Sequence, residues 1–144
     1  MGTSDGISKE DWNQAQEIVE KITYAGSLGG SSKLLAKKLI VYLDTLKQKY
    51  GRLPSILATQ ADYINEPEQE LSLRKEAYIT ALEIRDYKNI AYISSSLARF
   101  YKETNRNTQN AKFWVRIFEK SLQDYSDSHL NSLLCELKAD LDKK

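Results

Sequence analysis

Apolar residues recur every three or four positions along almost the whole chain, in seven runs separated by short polar or Gly- and Pro-marked gaps. That spacing places them on one face of an α-helix, whereas a half-buried strand needs strict alternation. Breakers are scarce. The 144 residues hold 2 Pro and 6 Gly, and most of the Gly fall in the first 30 positions. The remaining sequence therefore reads as long helices joined by tight turns, and nothing in it reads as a strand.

The first run, Trp12, Ala15, Ile18, Val19 and Ile22, follows Ser8-Lys9-Glu10-Asp11, a hydroxyl with a carboxylate three residues on, which resembles a capping box. A helix is expected from Lys9 to about Ala25, stopped by the loop Gly26 to Ser32. The second carries Leu35, Ala36, Leu39, Ile40, Leu43 and Leu46 and ends near Tyr50-Gly51, with Gly51 placed for a left-handed C′ residue. Pro54 opens a short third helix reaching Ile64, where Pro is tolerated in the first turn. Asn65-Glu66-Pro67 closes it. A fourth follows with an acidic first turn, Glu68 and Glu70, and an expected buried face of Leu71, Ala77, Tyr78, Ala81 and Leu82. Asp86 to Asn89 turns into a fifth helix with Ile90, Ile93, Leu97, Ala98 and Tyr101, ending at Thr104 to Thr108. The sixth carries Ala111, Trp114, Val115, Phe118 and Leu122, and the seventh Leu130, Leu133, Leu134, Leu137 and Leu141.

The length and the 41% hydrophobic, 28% charged composition fit one globular domain over residues 1–144. Residues 1–8 are expected to be disordered, 9–50 to form an N-terminal helix pair and 53–142 the remaining helices. A formal net charge of +1 sets up no global field toward nucleic acid or an anionic membrane. A lone Cys135 excludes an internal disulfide and a multi-cysteine metal site, no run approaches a membrane span, and no signal-peptide pattern opens the chain. A cytoplasmic location is expected.

Shifting the chain on itself by forty residues aligns Leu57-Ala58 with Leu97-Ala98, Leu71 with Ala111, Tyr78 with Phe118 and Leu82 with Leu122. The same shift pairs Ile90, Ile93, Leu97 and Tyr101 with Leu130, Leu133, Leu137 and Leu141. A single helix pair cannot bury its apolar face alone, so pairs repeat the same contacts in order to stack. In this register Ile90 to Tyr101, with Leu97, Ala98 and Tyr101 in Leu-Ala-x-x-Tyr order, resembles the first helix of a tetratricopeptide repeat (TPR). Ala111, Val115 and Phe118, and Glu76 to Leu82 before them, resemble the second. The resemblance runs from Leu53 to about Leu141, with Lys9 to Tyr50 only a generic helix pair, and departs from the family where the period is closer to forty residues than to about thirty-four, where the usual Trp position is Ser94 and where no terminal repeat Pro occurs.

The resemblance implies an all-α stack of about seven antiparallel helices in TPR-like pairs, an α-α superhelix, with a C-terminal capping helix. TPR domains bind peptides or partner domains along the first helices of their pairs. Carried over by position, this makes Tyr92, Ser95, Arg99, Lys102 and Glu103 the partner-binding residues, two cations among them, for an acidic or carboxylate-bearing segment. The most concrete role implied is an immunity protein that occludes a cognate toxin; a chaperone or adaptor holding an extended peptide is the alternative.

Two basic stretches, Arg99, Lys102, Arg106, Lys112, Arg116 and Lys120, and Lys33, Lys37, Lys38, Lys47, Lys49 and Arg52, admit a nucleic-acid-binding repeat. Neither shows the interleaved aromatics of such a reader, and they read as solvated faces. The loop Gly26 to Lys33 lacks the Gly-Lys-Ser/Thr order of a phosphate loop and follows a helix. His129 and Cys135 lie about 240° apart around a helix, so they form no local pair, and no second His exists for a metal site. No catalytic residue, metal or cofactor is expected, and Cys135 reads as a small core residue. Of the nine Tyr, Tyr78 and Tyr101 are expected to pack, with Tyr63, Tyr87, Tyr92 and Tyr125 as candidate interface anchors.

Overall fold

The computed structural model describes residues 2–143, whose regular elements are all helices, without strands. The helices are α1 (Lys9–Ser27), α2 (Lys33–Tyr50), α3 (Pro54–Asp62), α4 (Pro67–Glu83), α5 (Tyr87–Arg99), α6 (Thr108–Ser121) and α7 (Ser128–Asp142). A π-helical segment, Phe100–Thr104, extends α5 without a break.

The helix starts are written in side chains. Ser8 accepts from the Asp11 amide. Asp86, Asn107 and Asp127 accept from the amides of Asn89, Asn110 and Leu130 and cap α5, α6 and α7. Pro54 opens α3, as expected, and Pro67 opens α4 instead of merely closing the helix before it, because its missing N–H lies among the unpaired donors of the first turn. Gly51 ends α2 at φ +91°. The equivalent places after α4 and the π segment hold Arg85 and Arg106, at φ +57° and +49°, where glycine is the usual occupant.

Connections of three to six residues force sequential helices to run antiparallel, and side-chain contacts fix which helices run parallel across the stack. Asn89, at the start of α5, donates to Ser55, at the start of α3. Tyr92 donates to Asp127 and Lys102 pairs with Asp140, so α5 and α7 also run side by side in one direction. Tyr78 of α4 meets Trp114 of α6 edge-on at 5.0 Å. The result is one row of α3, α5 and α7 and a second row of α4 and α6. The forty-residue register is visible in burial: Leu57, Leu97 and Leu137 occupy matching buried places in α3, α5 and α7, and so do Ala61, Tyr101 and Leu141.

The core forms three successive clusters. Ile18, Leu39, Leu43 and Leu46 fill the α1–α2 end with Ile56, while Leu57, on the other side of α3, starts the middle cluster with Ala77, Ile93 and Leu97. Phe118, Leu130 and Leu137 fill the far end. Arg74 is buried in α4 with its guanidinium held by Glu70 at 2.9 Å and Asp62 at 3.0 Å, which ties the start of α4 to the end of α3.

Three expectations are corrected here. The segment before α1 is part of the fold over residues 3–8: the Asp5 carboxylate accepts from the Ser55 amide (2.7 Å) and hydroxyl (2.9 Å), and Ile7 is 1% exposed in the α1–α2 cluster. Residue 1 lies outside the described residues. Leu82 is 47% exposed on α4, and Cys135 is exposed on α7, because the outer side of that helix has no further layer to cover it. Since Ile7 fills core volume, Ile7→Ala is expected to lower unfolding free energy by roughly 2–4 kcal/mol in urea titrations; a disordered segment would leave it unchanged.

Candidate functional site

The residues singled out on α5 separate by angle. At about 100° per residue, Tyr92 and Arg99 share one line, while Ser95 and Lys102 are turned by roughly 60–80° toward α7. Ser95 is buried and its hydroxyl donates to the Tyr92 carbonyl, so it presents nothing to a partner. Lys102 is partly buried and its ammonium is given to Asp140, whose carboxyl it holds below the ordinary carboxylate range. Both leave the candidate surface. Ser96, partly buried and absent from the sequence-based set, lies on the line of Tyr92, Arg99 and Glu103, and its hydroxyl too donates to the Tyr92 carbonyl.

Two hollows lie along this line. The first, about 400 Å³, lies between α3 and α5 and is lined by Ser55, Thr59, Lys88, Asn89 and Tyr92, with Trp12 and the segment before α1 as its outer wall. The second, about 240 Å³, is polar and is lined by Asp62, Arg74, Ser96, Arg99 and Glu103. The π segment forms part of its wall through Phe100 and Thr104. Here Asn105 donates to the Phe100 carbonyl, five residues back, and the wider turn lets Phe100 and Tyr101 both point into the core. Nothing in the sequence marks this feature, since no Gly or Pro interrupts Leu97 to Glu103.

Charge on this face is divided. Arg74 is neutralised by Glu70 and Asp62. Lys88 and Arg99 are exposed, and neither makes an ion pair among the described residues. Tyr92 is half-buried, with its ring stacked on His129 at 6.4 Å and tilted against Tyr125 at 6.4 Å. Its phenol donates to Asp127 at 2.6 Å, and this bond pushes the Tyr92 pKa up to about 12. The same bond, with the Leu130 amide second, holds the Asp127 carboxyl below its ordinary value. A raised phenol pKa is the reverse of what a nucleophile needs, and the pair fixes the start of α7 against α5.

The basic residues read as two stretches do not form two surfaces. Lys47, Lys49 and Arg52 pair with Asp44, Asp11 and Glu76. Arg99 faces the second hollow, Lys102 is paired, and Lys112, Arg116 and Lys120 lie on the outer side of α6. No helix among the described residues is long and apolar enough to cross a membrane. Comparison with family models, with curated proteins and with solved structures returned no match.

The Tyr92–Asp127 bond has a definite pH signature. The depressed Asp127 pKa contributes stability that is present above the ordinary aspartate value and lost as pH falls through the folded value; the raised Tyr92 pKa contributes stability that is lost as pH rises through about 12. Asp127→Asn is expected to move the Tyr92 transition back toward the ordinary phenol value of 10.0, read by ultraviolet difference titration with Tyr92→Phe identifying the signal.

Proposed function

We propose that this chain is a non-catalytic protein-binding module of TPR-like helix pairs that holds a partner segment along the face of α3 and α5. The observation that carries the reading is the alignment of the two hollows on one face, joined by Tyr92, Ser96, Arg99 and Glu103. The parallel row of α3, α5 and α7, the second row of α4 and α6, and the forty-residue register support the repeat architecture. The outer side of α7, with His129, Asn131, Ser132, Glu136 and Lys138 polar and exposed, suits a capping helix.

From Lys88 to Glu103 the helix rises about 22 Å, room for six or seven residues of extended chain at about 3.3 Å each. Such a segment needs partners for its own N–H and C=O groups. Thr59 supplies a hydroxyl along the way, and Asn89, Ser55 and Ser96 supply oxygens that can still accept, their donors being engaged with Asp86, Asp5 and the Tyr92 carbonyl; Lys88 and Arg99 supply exposed cations that make no ion pair among the described residues, Arg99 beside Asp62 and Glu103. The partner segment is therefore one with carboxylates spaced along an extended backbone. A toxin-occluding role would use the same face, but the narrowness of the line favours a peptide-holding adaptor.

Photo-crosslinking amino acids at Lys88 and Arg99 are expected to capture the partner from source-cell lysate, while one at Glu20 on the exposed side of α1 captures none. Lys88→Glu with Arg99→Glu should weaken binding of that partner by roughly tenfold or more, as reversal of unpaired rim charges does. Lys102→Ala should leave affinity unchanged. Crosslinking from Glu20 alone, or an equal loss with Lys102→Ala, would place the site elsewhere.

A further inference from the structure

The α1–α2 hairpin projects beyond the helices it packs on. α2 has 18 residues and α3 has nine, roughly 27 Å against 14 Å, so the first half of α2 runs on past the end of its neighbour. No residue from Val19 to Lys38 is buried, although Ile18 and Leu39 at either side are. The arm nevertheless holds four of the nine large apolar side chains that are exposed: Tyr24, Leu28, Leu34 and Val41. Leu34 is 83% exposed and Leu28 69%, one on each helix beside the connecting loop. Apolar groups gathered in this way mark an interaction surface, whereas scattered ones do not.

The charges around them are of one sign. No Asp or Glu occurs from Lys21 to Leu43, a stretch that holds Lys21, Lys33, Lys37 and Lys38. None of these four makes an ion pair among the described residues. Leu34 and Val41 share one line of α2, with Lys37 turned about 60° to one side of Leu34 and Lys38 about 40° to the other. Lys38 and Val41 border a hollow of about 430 Å³ that Lys21 lines from α1, and Leu28 continues the line of Gln14 and Lys21 toward the tip. On the other side of Val41, Lys33 and Lys37 line a hollow of about 470 Å³ with Ile40 and Tyr63, and no acid lines it. Lys33 stands in the first turn of α2, where the helix dipole favours an acid, so the helix gains nothing from it.

The nearby acids are turned elsewhere or lie further in. Glu17 is the one acid lining the first hollow, a turn further from the tip than Lys21, and Glu20 is turned about 100° from Lys21. Glu66 accepts from the Glu68 amide, and Asp62 is held by Arg74. The shape and the charge together select what covers the arm. A partner helix seats its apolar stripe in a groove, but Leu28 and Leu34 line neither hollow and stand at the tip. Nucleic acid would take the cations and leave the leucines in water. A bilayer with anionic headgroups takes both, since apolar side chains enter the boundary between headgroups and acyl chains while lysines stay among the headgroup charges.

We propose that the α1–α2 arm docks the protein on an anionic membrane surface, with Leu28 and Leu34 inserted at headgroup depth and Lys21, Lys33, Lys37 and Lys38 among the lipid charges. The contact is peripheral and comes from a local field in a chain of net charge +1. It lies apart from the α3–α5 face and does not depend on what that face holds.

The test sediments the full chain with vesicles of phosphatidylcholine alone and with vesicles containing about a third phosphatidylserine. At physiological salt the protein is expected to bind the phosphatidylserine vesicles at least roughly tenfold more tightly, and to lose that advantage as salt is raised. Leu28→Asp with Leu34→Asp, both at exposed sites, should abolish binding while circular dichroism shows the fold retained. Lys37→Glu with Lys38→Glu should remove the preference for phosphatidylserine. Lys112→Glu with Arg116→Glu, the same change of net charge on α6, should leave it in place. Absence of binding to phosphatidylserine vesicles, or an equal loss with the α6 variant, overturns the proposal. So does sedimentation showing a wild-type dimer that Leu28→Asp with Leu34→Asp dissociates, or retention of a labelled RNA oligonucleotide by a chain that ignores the vesicles.

Discussion

The stack depends on how closely three helices approach α5. Seven of its residues are buried, and four of these, Ala91, Ser94, Ser95 and Ala98, are small. Ile90, Ile93 and Leu97 fill the middle cluster, while Ala91 and Ala98 let the α6–α7 end pack against the other side of the same helix. Serine in such a place is acceptable only if its hydroxyl is satisfied. Ser94 and Ser95 donate to the carbonyls of Ala91 and Tyr92 three residues back, so neither hydroxyl is left an orphan. Leu71 and Trp114 belong to both the middle and far clusters, which makes the two continuous around α5.

The π segment follows from the same demand for contact. An α-helical Phe100-Tyr101 pair would point about 100° apart, and only one side of the helix end could be filled. The wider turn brings both rings inward, edge to face at 5.7 Å, and the chain leaves through Asn107, whose amide donates to the Tyr101 carbonyl at 2.7 Å. The outer side of that distortion is where Arg99 and Glu103 face the polar hollow. Packing inside and an opening outside are thus two consequences of one extra residue in the turn.

What was legible in the sequence is what repeats or caps. Helix bounds followed from Ser8, Gly51, Pro54 and the turn at Asp86, since each acts on the few residues beside it, whereas the caps Asn107 and Asp127 emerge only in the structure. The forty-residue register found the matching buried leucines, because stacked helices need the same contact at the same place. Burial at the edges of the stack was not legible. Leu82 and Leu122 align in sequence, yet Leu82 is exposed while Leu122 packs on the α6–α7 cluster. Cys135 sits among leucines and is exposed, for the side of a terminal helix that faces outward is not distinguished by composition. On α5 the candidate residues span too wide an arc: Ser95 is buried with its hydroxyl on the Tyr92 carbonyl, and Lys102 is taken by Asp140 of α7, neither of which spacing alone reveals.

Pairing of cations separates the structural charges from those left for recognition. Arg74, Lys49, Arg52, Lys102 and Lys138 each reach a carboxylate on another helix, and those pairs lie at seams between neighbouring elements. Lys88, Arg99 and Lys120 reach none among the described residues and each lines a hollow, while Lys33, Lys37, Lys38, Lys112 and Arg116 are exposed and likewise unpaired there. Exposed ion pairs contribute little to stability, so a fold of this size gains almost nothing by leaving these cations where they are. Beside Lys88 and Arg99 lie the two hollows of the α3–α5 face, where a charge left unpaired by the fold stays open to solvent. The same central helix that holds the rows together therefore also carries the wall shared by both hollows.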